Sequence, residues 1–143
     1  MSENDLVRLV EQIFADANAH IIGSGNTHYT DDFRQESPGA PGALNREQAQ
    51  AQIQGFITAF PDLHFDLRHK IAQGDFVVIN WVATGTHTGP LTTPTGAQIP
   101  PTGKKALVPG STTYQFKNGK ASRAWVHWDM VTLLAQLGLM PAM

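Results

Sequence analysis

Apolar residues change their spacing at Leu63, and this change constrains the fold more than any other feature of the chain. Before it they recur three and four residues apart, as on one face of a helix; after it they alternate, as on a strand. Ser2 and Asp5 form a capping box for a helix whose stripe is Leu6, Leu9, Val10, Ile13, Phe14, Ala17 and Ile21, with Gly23-Ser24-Gly25 as its stop. Asn45 and Gln48 repeat the box for a second helix with Ala49, Ile53, Phe56, Ile57 and Phe60, ended by Pro61-Asp62. Residues 28–44 between them show no period: Tyr29 and Phe33 are anchors, and residues 36–42 read as loop.

Beyond Leu63 the alternation of Phe65, Leu67 and Ile71 leads through Gln73-Gly74-Asp75 into a long buried strand, Phe76 to His87. Residues 88–103, rich in Thr, Pro and Gly, are loop or a ragged hairpin tip. Lys105 to Phe116 is the next strand. Asn118-Gly119 turns it into a strand over about 121–130, because Asn-Gly readily takes the positive φ angles of a tight hairpin. Thr132 to Leu139 closes the chain as a short helix. Helices followed by antiparallel strands predict one α+β domain over residues 1–143, with helices covering one face of a curved sheet.

The last strand carries the candidate chemistry. Alternation puts Trp125, His127 and Asp129 on one face and Ala124, Val126, Trp128 and Met130 on the other. The second face is apolar and suits a core. An acid, an imidazole and an indole in line suit a pocket wall, which is the expectation here, although parity alone does not say which face is pocket and which interface. The alternative without chemistry is that Asp129 caps the helix after it or pairs with Arg123, and that His127 is a satisfied, partly buried histidine. Trp125 and Trp81 suit packing or ligand stacking. His87, at a strand end beside a Thr-Gly loop, is expected to be exposed.

Composition narrows the partners. Ten basic and twelve acidic residues give a formal charge of -2 with no block of like charge, which argues against nucleic acid. The absence of cysteine removes disulfides, thiolate nucleophiles and cysteine metal sites. With an acidic start, no signal-like segment and no long apolar run, the expected location is cytoplasmic, without a membrane partner. His64-Phe65-Asp66 and His127-Trp128-Asp129 each offer two ligands on one strand face, fewer than a structural metal uses, so no metal and no cofactor are expected. Gly23-Ser24-Gly25 follows a helix, which is the wrong context for a dinucleotide turn, and no Gly-x-Ser-x-Gly elbow is present.

Gly85-Thr86-His87-Thr88-Gly89, Pro100-Pro101-Thr102-Gly103-Lys104, the Asn118-Gly119 turn, and His127-Trp128-Asp129 with Leu133-Leu134-Ala135-Gln136-Leu137-Gly138 occur in an order and spacing that resemble the SnoaL-like polyketide cyclases, of the nuclear transport factor 2-like superfamily. That resemblance implies a cone of helices wrapped by a curved, mostly antiparallel sheet. It also implies a pocket for a small hydrophobic ligand and a homodimer or homotetramer built on the sheet. The implied chemistry is cofactor-independent aldol ring closure, with Asp129 as acid/base and His127 beside it. Gln115 and Thr113 are the implied pocket-lining residues on the neighbouring strand. Many relatives read Asn-His-Asp-Pro where this chain has Gln35-Glu36-Ser37-Pro38, so Gln35 and Glu36 become candidate substrate contacts that differ from the usual histidine.

Proton abstraction beside a carbonyl needs a base more basic than a free Asp, whose pKa is about 3.9, and a donor for the enolate oxygen. Burial of Asp129 against Trp125 would raise its pKa, and His127 or Gln115 would be the donor. Two other classes stay open: a non-catalytic binding module that keeps the pocket, and an epoxide hydrolase, which needs a second carboxylate and an arginine, with Glu36 and Arg123 the only candidates.

Overall fold

The structure, a computed structural model, describes residues 1–21, 25–40, 42–92 and 96–139. Helix α1 (Glu3–Asn18) begins at the expected Ser2/Asp5 capping box and buries Leu6, Val10, Ile13 and Phe14. It ends before Ile21 because His20 takes a positive φ of 59° and turns the chain. Of the Gly23-Ser24-Gly25 stop expected there, residues 23 and 24 lie outside the described residues. A short helix α2 (Gly25–His28) leads into strand β1 (Tyr29–Glu36), a strand that the sequence did not announce. Only Phe33 is fully buried in β1, while Asp31, Asp32 and Arg34 are exposed, so no alternation marks it. Helix α3 (Arg46–Ala59) starts at the Asn45/Gln48 box.

Strands β2 (His64–Gln73) and β3 (Phe76–Thr86) follow. An arm carries the two-residue strands β4 (Leu91–Thr92) and β5 (Gln98–Ile99), which pair with one another. Strands β6 (Lys105–Lys117) and β7 (Lys120–Trp128) form the Asn118-Gly119 hairpin, and helix α4 (Met130–Gln136) follows. The main sheet runs β1-β7-β6-β3-β2, antiparallel except for the β1–β7 pair. The result is the α+β cone expected from the sequence: α1 lies against β2, and α3 against β1.

Two buried clusters fill the space between helices and sheet, and both reach Phe65, Ala83 and Trp128. Trp81 reaches across the sheet over Gly110, where a Cβ would lie 2.3 Å from the indole rim. The same indole Nε1 donates to Thr112 Oγ1 at 3.0 Å. The arm is tied down on both limbs. Thr88 and Gly89 donate their N–H groups to Ala59 O at the end of α3. His87, expected at the surface, is instead fully buried: its Nδ1 accepts from Thr102 N at 3.2 Å, and its ring lies 5.3 Å from that of Phe60. Closure of the arm over the strand end buries it, and burial lowers its pKa.

Candidate functional site

An apolar cavity of about 200 Å³ lies between α1, α3 and the concave face of the sheet. A cavity of about 150 Å³ can hold one benzene ring, so this one accommodates a small ring system. Phe14, Ile53, Phe56, Phe65, Trp81, Val108 and Trp128 are among the apolar residues of its wall. The indole of Trp128 meets Phe56 edge-on at 5.6 Å, and Trp81 meets Phe65 edge-on at 5.2 Å.

Three polar groupings open onto this wall. Asp16 comes from α1, one turn after Ile13 on the same face, and its Oδ2 lies 2.7 Å from His28 Nε2. Both side chains are largely enclosed, at 17% and 11% exposure. Gln12 Nε2 donates to Asp16 Oδ1 at 2.8 Å, so both carboxylate oxygens are engaged. The end of α1 is anchored to β2 by Asn18, which donates to Phe65 O and accepts from Phe65 N. With Asp16 ionised, His28 Nε2 is the donor of this pair.

The second grouping is a pair of phenols. Tyr29 and Tyr114 both line the cavity. Burial pushes the Tyr29 phenol up to about 12 and that of Tyr114 well above its ordinary value, so both are neutral donors at ordinary pH. The third grouping is amide: Gln35 Nε2 donates to Gln52 Oε1 at 2.9 Å and to Ser37 Oγ at 2.8 Å.

Of the residues nominated from sequence, Trp81 and Gln35 line the cavity. Asp129, His127, Trp125, Thr113 and Gln115 do not, because β6 and β7 present their other faces inward, with Thr112, Tyr114, Val126 and Trp128 on the wall. Trp125 packs near Phe76 on the outer face, and Gln115 donates to Asp75 Oδ2 at 3.3 Å. Glu36 is exposed at the end of β1. Asp129 caps α4: Oδ1 accepts from Val131 N and Thr132 N, and Oδ2 from the Thr132 hydroxyl. The Thr132 hydroxyl and N–H hold its carboxyl below the usual carboxylate value, the opposite of the expected rise. His127 and Asp129 line only a shallow outer groove with Asn80 and Ser111.

Asp16, His28, Tyr29 and Tyr114 were missed from sequence. One signal was legible: Asp16 interrupts the apolar stripe of α1, three residues after Ile13 and one before Ala17. Among the described residues no three His, Asp or Glu side chains converge as metal ligands, and no helix is long and apolar enough to cross a membrane.

A cone of helices and curved sheet around an apolar cavity with a few polar groups defines a small-molecule pocket protein of the nuclear transport factor 2-like fold. Residues 4–137 match the pattern of the SnoaL-like polyketide cyclases, and the chain belongs to that family. No curated protein matches it. Among solved structures it is similar to AclR of Streptomyces galilaeus, proposed to be a hydroxylase (24% identity, 99% of this chain and 90% of that one, TM-score 0.86). It is also similar to a proposed SnoaL-like polyketide cyclase from a Jannaschia species (24%, 97% and 95%, 0.83). A third relative in fold is a hypothetical protein with a ketosteroid isomerase-like fold from Catenulispora acidiphila, solved with trimethylamine (18%, 92% and 93%, 0.74). At these identities the likeness establishes the fold.

Proposed function

We propose that the protein is a polyketide cyclase-type enzyme performing carbon-acid chemistry on a small hydrophobic ketone or keto ester in the inner cavity. His28 is the acid/base group and Asp16 orients it. The observation that carries this reading is the Asp16–His28 pair at 2.7 Å on the wall of an otherwise apolar cavity. His28 Nδ1 takes the proton alpha to a carbonyl; the C–H electron pair becomes the enolate double bond, and the carbonyl π pair moves to oxygen. The enolate carbon then attacks a second carbonyl of the same molecule, and the resulting alkoxide recovers the proton from His28. Family membership supports the ring closure, and side-chain proton transfer supplies what it needs. Asp129 stays outside this scheme, since a solvated capping carboxylate of lowered pKa is a weak base. The outer sheet face, with Phe76 40% and Ile71 61% exposed, is the surface on which we place a second copy of the chain, a contact that sedimentation velocity tests.

Deuterium exchange of the alpha protons of 2-tetralone, followed by proton NMR in D₂O, tests the reading without the natural substrate. Exchange above the buffer rate is expected, falling about 100-fold or more in His28→Gln. Binding of 2-tetralone with no exchange would leave a binding module. Exchange that survives His28→Gln but not Asp129→Asn would return the role to Asp129.

A further inference from the structure

His87 sits where the arm leaves the sheet, one ring removed from the cavity. Its backbone begins a short ladder with the returning limb: His87 N donates to Lys104 O at 2.9 Å, and Gly103 N to His87 O at 2.7 Å. The outgoing limb lies tight against the end of α3, where Thr88 and Gly89 donate to Ala59 O and a Cβ on Gly89 would come within 2.0 Å of Thr58 O. Between the limbs the imidazole is fully buried. Nδ1 accepts from Thr102 N, which puts the proton of the neutral ring on Nε2. Nε2 is enclosed and meets no acceptor at hydrogen-bonding geometry among the described residues. Phe60 packs against this ring, lines the cavity, and is wedged on Gly85, where a Cβ would lie 2.9 Å from its own.

We propose that His87 is an acid-operated latch: a proton on its ring frees the base of the arm from Thr102 and from the end of α3, and loosens the part of the cavity that Phe60 lines. The proton arrives on Nδ1, the nitrogen with the lone pair, and sets one N–H against another, that of Thr102. The Thr102 hydroxyl, 3.0 Å from Nδ1, supplies an oxygen but no countercharge. Residues 88–103 and α4 carry no charged side chain. On the other elements around the ring the charged groups are Asp62, Lys104 and Lys105. Asp62 accepts from Thr86 N and Oγ1, Lys104 reaches Gly138 at the end of α4, and Lys105 stands in register with Thr86. A buried charge without a partner is costly, so the ring gains water by parting the limbs. Burial outweighs the Gly89 backbone, which favours the charged ring, so the closed form binds the proton less well than the open one. Opening is therefore favoured as pH falls from about 6.5 toward the lowered value of the closed form, by about tenfold per unit for one proton.

Amide hydrogen exchange followed by NMR tests the latch without any substrate, so its failure leaves the His28 reading standing. After correction for intrinsic rates, Thr88, Gly89, Thr102 and Gly103 should exchange about tenfold faster for each unit from pH 6.5 down to the titration midpoint of the ring, read from its nitrogen shifts in the same wild-type sample. The rise should be insensitive to dilute urea, as for a local opening, and absent in His87→Gln, whose Oε1 accepts from Thr102 N without titrating. Dissociation of 2-methoxynaphthalene, a neutral probe of the cavity, should quicken over the same range in wild type and not in the variant. Exchange no faster than that of Val10 in α1 and equally sensitive to urea overturns the latch, because the arm then leaves only when the whole domain unfolds. No rise beyond the intrinsic one, or a rise that persists in His87→Gln, overturns it as well. Exchange that rises while probe dissociation stays constant overturns the link to the cavity.

Discussion

Asp16 and Asp129 are both aspartates at the edge of a helix with every carboxylate oxygen hydrogen-bonded, yet they work in different surroundings. Asp16 lies on the inner stripe of α1, largely enclosed, and aligns an imidazole on the cavity wall. Asp129 lies in solvent, and its partners are the first turn of its own helix. The comparison teaches that a carboxylate's role follows from the direction in which its element presents it. Asp129 stands in the family-like motif, but Asp16 has the cavity.

Removing the partner on the cavity side should have the largest consequence. Asp16→Asn keeps the shape but loses the charge that sets the His28 tautomer, so tetralone exchange should fall on the order of 100-fold while the melting temperature changes little. Unchanged exchange would erase the contrast between the two aspartates. Gly110→Ala comes next: an added methyl would press on the Trp81 rim and on His127 O, 2.8 Å away, costing about 1–3 kcal/mol of stability and reshaping the cavity floor. Chemical denaturation with wild-type and variant side by side measures it. Asp129→Ala should lower Tm by roughly 2–4 °C through loss of the cap and leave exchange at the wild-type rate.

The smallest effect is in pH dependence. His87 has its pKa lowered by burial, so the unfolded chain binds more protons there, and stability should decline as pH falls from about 6.5 toward the lowered native value. Asp129 acts in a lower window. Its native pKa is depressed, so its contribution is present above about pH 4 and is lost as pH falls through the native value. Urea midpoints measured against pH should lose the upper slope in His87→Leu and show a shallower lower one in Asp129→Asn, since Asp5, Asp32 and Asp62 are lowered in the same window. A variant profile parallel to wild type would break the corresponding assignment.

Much of the scaffold was legible because it rests on local chemistry. The capping boxes at Ser2 and Asn45 and the Asn118-Gly119 hairpin depend on residues within a few positions of one another, and the structure places each where the spacing put it. β1 was not legible, since an edge strand with one fully buried side chain carries no period. His87 was misread because its burial comes from Thr102, on the returning limb of the arm.

The sequence by itself determined the starts of α1 and α3, the Asn118-Gly119 turn and the two faces of β3, β6 and β7, because these follow from backbone conformation and side-chain alternation over short distances. Only the tertiary structure decided which face of β6 and β7 looks into the cavity, that Asp16 meets His28, and that Tyr29 and Tyr114 share one cavity wall. Alternation is symmetric between the faces of a strand; the inner one is selected by the helices that cover it, and those contacts join parts of the chain that share no local signal.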